Sequence, residues 1–160
     1  MEFDASKYLA PNLNLKTHIT RSGIFSGYKM NVYYDFNVYN SECDRFNRDK
    51  AIQVVDLWDM EANKYNSYID AATEEETLYS VLITVEILYN SNMSTDIVVD
   101  LDSISVKGEE IGSYALTSSG PCEGTWNASP CIFYNFHADV LDHSFDNPIE
   151  IECSLNVGYQ

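Results

Sequence analysis

No lysine or arginine follows Lys107, and that absence is the most telling feature of the chain. Residues 51–160 hold nineteen acidic residues against Lys64 and Lys107, a net charge of −17, whereas residues 1–50 hold six acids and seven bases. A formal charge of −16 repels nucleic acid and anionic membranes and attracts a basic partner or a cation. Direct nucleic-acid binding is therefore not expected. Long apolar runs are also missing. Nothing approaches the ~18 consecutive apolar residues that a membrane-spanning helix needs, so no membrane insertion is expected. Met1–Ala10 carries Glu2, Asp4 and Lys7 without an apolar run, which speaks against a signal peptide there. A soluble protein is expected, its compartment left open.

The short catalytic signatures are absent too. There is no glycine-rich phosphate loop, Cys-x-x-Cys, His-Glu-x-x-His or Gly-x-Ser-x-Gly. Three histidines, His18, His137 and His143, leave few groups that titrate near neutrality. Cys131, His137 and His143 stand six apart, which is not a zinc-finger spacing. The expectation is a protein that is not an enzyme and has no catalytic residues.

What is present is two-residue alternation, the mark of a strand with one face on a core. Met30, Val32, Tyr34, Phe36 and Val38 fall on one face, and Asn31, Tyr33, Asp35 and Asn37 on the other. Val81, Ile83, Val85, Ile87 and Tyr89 alternate with Leu82, Thr84, Glu86 and Leu88, a pattern apolar enough on its second face to predict a central strand covered on both sides. Ile97, Val99 and Leu101 share one parity but Ile104 and Val106 take the other, so a bulge is expected near Ser103. Ile149, Ile151, Cys153, Leu155 and Val157 close the series. Weaker strands are expected at residues 12–20, 51–58, 111–117 and 131–140. Turn-rich breaks are expected at residues 21–27, 41–50, 90–95, 107–110, 118–130 and 142–148. Residues 60–72 are the one helix candidate, despite an Asn and Tyr content that favours helix poorly.

With 45% hydrophobic residues and no low-complexity tract, a chain of 160 residues can bury a core as one domain spanning 1–160. About eight or nine strands at this turn spacing predict a single-domain, mainly antiparallel β-sandwich of immunoglobulin-like or jelly-roll type, with at most one short helix. A closed β-barrel is the alternative.

Four groups of residues are candidates for function. Asp96, Asp100 and Asp102 point outward on one strand and Glu150 and Glu152 on another, with i and i+2 positions ~6.6 Å apart. If the two strands are neighbours, they make an acidic face. Tyr33, Tyr39 and Trp126 are aromatic contact candidates, because exposed Tyr and Trp give large contact area at little entropy cost. Asp139, Asp142 and Asp146 could supply the oxygen ligands calcium requires, although the EF-hand order is missing. Cys122 and Cys131 bracket a loop-like segment that a disulfide could close, while Cys153 reads as a buried thiol.

These features point first to a non-enzymatic structural or protein-interaction module, such as a component of a virion, appendage or cell-surface assembly. Its partner would be a protein, basic in character, or a further copy of itself. An acidic inhibitor that imitates nucleic acid and occupies a DNA- or RNA-binding protein is the second reading. An extracellular carbohydrate- or calcium-binding sandwich is the third, and calcium is its only cofactor.

Overall fold

The computed structural model describes residues 13–22, 29–39, 45–47, 51–56, 63–67, 77–89, 97–122, 131–144 and 149–159. They form β1 (Leu13–Ser22), β2 (Lys29–Tyr39), β3 (Arg45–Asn47), β4 (Ala51–Asp56), β5 (Asn63–Ser67) and β6 (Thr77–Leu88). The series continues with β7 (Ile97–Val106), β8 (Glu109–Glu110), β9 (Tyr114–Pro121), β10 (Cys131–Ser144) and β11 (Ile149–Tyr159). Eight of these strands are six residues or longer. Two sheets result: a five-stranded one ordered β5-β1-β11-β7-β8, and a six-stranded one ordered β3-β2-β6-β10-β9, with β4 also paired to β2. Neither sheet closes on itself, so the fold is a β-sandwich and the barrel alternative is set aside. The pairing is antiparallel except between β1 and β11, which run parallel from Leu13↔Ile149 to Ser22↔Gly158.

The inward parities become the core. Met30, Val32, Tyr34, Phe36 and Val38 of β2 and Ile149, Ile151, Cys153, Leu155 and Val157 of β11 are all at most 1% exposed. β6 lies between β2 and β10, the central position its pattern predicts. Its second face is half-buried rather than covered: Leu82, Thr84, Glu86 and Leu88 retain intermediate exposure, because no third layer packs there among the described residues.

The phase slip on β7 is a bulge. Ser103 pairs with Ser154 and Leu101 with Leu155, which leaves Asp102 outside the ladder. One extra residue restores Ile104 and Val106 to the core. The carbonyl of Asp102 is capped from the other sheet, where the Tyr114 hydroxyl donates to it at 3.0 Å. Two more tyrosines of the six-stranded sheet cross the sandwich. Tyr134 donates to the Ile97 carbonyl, and Tyr34 hydrogen-bonds Thr17 on β1. Thr17 is the register partner of Cys153 on β11, so Tyr34 reaches a polar spot shared by two strands of the facing sheet. A buried hydroxyl without a partner would cost about 1–3 kcal/mol, so these bonds let tyrosine fill a site otherwise suited to phenylalanine.

Several expected boundaries need correction. The helix candidate at residues 60–72 contains a strand: Asn63–Ser67 pairs antiparallel with β1, from Asn14↔Ser67 to His18↔Asn63. Asn, Tyr and Ser gain little from a helix, and here they supply backbone bonds to an open strand edge. β3 interrupts the break expected at 41–50, because Arg45–Asn47 finds the free edge of β2. β9 runs to Pro121 and β10 to Ser144, both further than their alternation suggests.

Candidate functional site

β7 and β11 are neighbours, and their outward residues share one face of the five-stranded sheet. Asp100, Asp102, Glu150 and Glu152 are all exposed there. Asp100 stands opposite Asn156, Ser103 opposite Ser154 and Ser105 opposite Glu152. The backbone N–H of Lys107 donates to the Glu150 carbonyl at 2.8 Å and so brings the β7–β8 turn beside that residue. Small neutral residues therefore separate the carboxylates and leave them open to approach. Glu110 pairs with Ser105 and extends the row Glu152, Ser105, Glu110 across three strands. Lys16 is the register partner of Glu152 on β1, and His18 Nε2 lies 3.5 Å from a Glu152 carboxylate oxygen. The face is acidic but bordered by cationic groups on the β1 side.

Charge density decides what this face can resemble. From the level of Asn156 to Glu150 the strand advances roughly 20 Å at ~3.4 Å per residue. Five carboxylates over that length, Glu110 included, give about one charge per 4 Å, against one per ~1.7 Å of axis for duplex DNA. The described carboxylates of this face are thus spaced more widely than the phosphates of a duplex.

The other outer face, on the six-stranded sheet, has different chemistry. Tyr33, Thr84, Asn135 and Ser118 form one cross-strand row. Thr84 Oγ1 donates to Asn135 Oδ1 at 2.7 Å, and Asn135 Nδ2 donates to Ser118 Oγ at 2.9 Å. Asn31 Nδ2 lies 3.5 Å from a Glu86 carboxylate oxygen. Burial, and then a hydrogen bond to Glu86, raise the Tyr33 phenol above its ordinary value. Tyr39 packs edge-on against Tyr79, with ring centroids 4.3 Å apart. Tyr33 and Tyr39 are thus half-buried members of a hydrogen-bonded sheet surface, on the opposite side of the sandwich from the carboxylates.

Asp139 and Asp142 belong to strand β10, and Asp139 lies 3.7 Å from His137 Nε2. Asp96, Trp126 and Asp146 lie outside the described residues. Cys122 and Cys131 form a disulfide, with Cα atoms 5.2 Å apart. The two sulfurs near Glu86 are therefore committed to each other and do not make a metal site. Cys153 is a buried free thiol, pushed up to about 12 by burial and held back in part by the Tyr34 hydroxyl. It is protonated and out of reach at neutral pH, which removes it as a nucleophile.

Sequence reasoning did not connect Glu110, Lys16 or His18 to the acidic face. Glu110 follows from the Lys107-Gly108 hairpin, a turn signal visible in the sequence. Lys16 and His18 depend on the parallel β1–β11 pairing, which no local pattern reveals. Comparisons with protein-family models, with curated proteins and with solved structures found no match.

Proposed function

We propose that this chain is a non-enzymatic protein-interaction module that docks a basic protein surface on the outer face of its five-stranded sheet. The observation that carries this reading is the convergence of Asp100, Asp102, Glu150 and Glu152 on adjacent strands, with small neutral residues between them. Exposed ion pairs contribute only about 0–1 kcal/mol each, so the face supplies orientation and fast association more than affinity. A larger assembly, of the virion, appendage or cell-surface kind, is the setting such a module fits. The protonated state of the buried Cys153 thiol supports the non-enzymatic part. The roughly twofold shortfall in charge density favours a protein partner over imitation of nucleic acid.

The test is affinity capture of the tagged protein from its source lysate after nuclease treatment, beside the variant D100N/D102N/E150Q/E152Q. A basic partner recovered by the parent chain and lost from the variant is the expected result. Equal recovery by both would remove the acidic face from the interaction.

A further inference from the structure

The six-stranded sheet ends at β9, which pairs with β10 on one side only among the described residues. The Cys122 N–H donates to the Cys131 carbonyl at 2.9 Å. Antiparallel ladders alternate, so that bond turns the N–H and C=O of Ser119, three positions earlier, away from β10. These groups face outward on an exposed strand: Ala115, Leu116, Thr117, Ser118 and Ser119 are all exposed. Leu116, at 50%, is the one large apolar side chain that stands exposed among the described residues.

Residues 111–122 contain no charged side chain, in a chain with 25 acids and nine bases. The contrast with the edge strand of the other sheet is direct, since β8 consists of Glu109 and Glu110, both exposed. Charged side chains on an edge discourage the addition of a further strand. On β9 the devices are Pro121 at its end, which offers no outward N–H, and a bulge at Thr117, which falls between the pairs Asn135↔Ser118 and Phe136↔Leu116. The bulge divides the edge into two short stretches and limits how many residues can pair. Beside the strand lies a depression of about 300 Å³, bordered by Ser113, Tyr114, Thr117, His137 and Asp139. Its carboxylate, Asp139, is exposed.

We propose that the free edge of β9 receives an extended segment of a partner protein by strand addition, with a lysine or arginine of that segment seated against Asp139 in the adjoining depression. Unpaired main-chain groups on an edge are satisfied best by another extended main chain, and a neighbouring pocket then selects the side chain. Charge argues for a basic partner segment over a second copy, because two chains of −16 repel each other. The short pairing length makes the complex weak and transient. This edge and the acidic face of the five-stranded sheet are separate surfaces, so either can stand without the other.

The probe is a phage-displayed library of random linear twelve-residue peptides, panned on the intact protein, with recovered peptides synthesised for titration. S119P removes an outward N–H without touching the β10 ladder, and proline is tolerated on an edge in that orientation. Expected results are peptides that contain a basic residue, about tenfold weaker binding to S119P, and a severalfold loss with D139N. The quadruple variant D100N/D102N/E150Q/E152Q should bind as the parent does. Peptides that lose binding to D100N/D102N/E150Q/E152Q and keep it to S119P would sit on the acidic face and overturn strand addition. The Ser119 amide should gain protection from hydrogen exchange on binding. No recovered binder, or peptides indifferent to S119P, would overturn strand addition. Peptides indifferent to D139N would overturn the role of the depression. Concentration-dependent dimers abolished by S119P would show that the occupant is a second copy and contradict the proposal.

Discussion

Tyr34 shows how one side chain ties the two layers together. Its ring belongs to the core of β2, stacked near Phe36 with centroids 6.4 Å apart, while its hydroxyl bonds Thr17 on the facing sheet. Tyr34→Phe is predicted to cost about 1–2 kcal/mol in chemical denaturation, because Thr17 is left buried without that partner. Adding Thr17→Val should recover part of the loss. Full additivity of the two substitutions would contradict a direct bond. The same cluster sets a pH response. Burial, then the adjacent Cys153, push the Tyr34 phenol well above its ordinary 10.0, and burial pushes the Cys153 thiol from 9.0 to about 12. Both are acids whose protons the folded state holds more tightly than the unfolded chain does. Their contribution to stability is complete below pH 9 and declines as pH rises toward about 12, at up to about 1.4 kcal/mol per pH unit for each group. Denaturation midpoints measured from pH 8 to 11 should fall from pH 9 in the parent chain and only from about pH 10 in C153A. Identical profiles would show that the thiol does not contribute. The inward direction of Tyr34 and the burial of Cys153 were legible in the alternation of their strands. Their meeting was not, since a period of two says which way a side chain points and nothing about what lies across the sandwich.

At the scale of elements, the hairpin between β7 and β8 turns on Lys107 and Gly108, with φ of 53° and 84°. Positive φ at both central positions is what a two-residue hairpin of the right twist demands, and glycine meets it without strain. Gly108→Ala meets no neighbour within 4 Å, so its predicted cost, about 1 kcal/mol in thermal or chemical melts, comes from backbone conformation alone. No change would mean that the turn relaxes to another type. The Cys122–Cys131 disulfide joins the ends of β9 and β10 across a separation of nine residues. C122S/C131S should lose roughly 2–3 kcal/mol, the loop-closure value for so short a ring. The bulge at Asp102 was readable because a one-residue slip exchanges the two faces of a strand, and Ile104 and Val106 display the exchange. β3 and β5 were not readable. They are three and five residues long, with mixed polarity, and owe their extended state to the edges of β2 and β1. The parallel β1–β11 pair joins segments far apart in sequence, where local pattern carries no information.

Over the whole molecule, the two open faces of the sandwich divide the chemistry. One presents hydrogen-bonded amides, hydroxyls and tyrosines, and the other presents separated carboxylates. The excess of acids was visible in the sequence, but the acidic face waited on strand order, since only the adjacency of β7 and β11 joins Asp100 and Asp102 to Glu150 and Glu152. Like charges on that face repel, so D100N/D102N/E150Q/E152Q should fold at least as stably as the parent, with the gain shrinking as salt rises. That property makes it a usable probe of binding. The most direct measurement is the association rate of the captured, purified partner with three proteins: the parent chain, this variant, and D35N/E86Q/D139N/D142N, which removes four charges from strands of the six-stranded sheet. A docking role for the sheet face predicts that association with D100N/D102N/E150Q/E152Q slows by about tenfold or more at low salt, while the charge-matched variant stays near the parent. Equal slowing in both variants would reduce the effect to net charge and contradict a defined acidic docking surface.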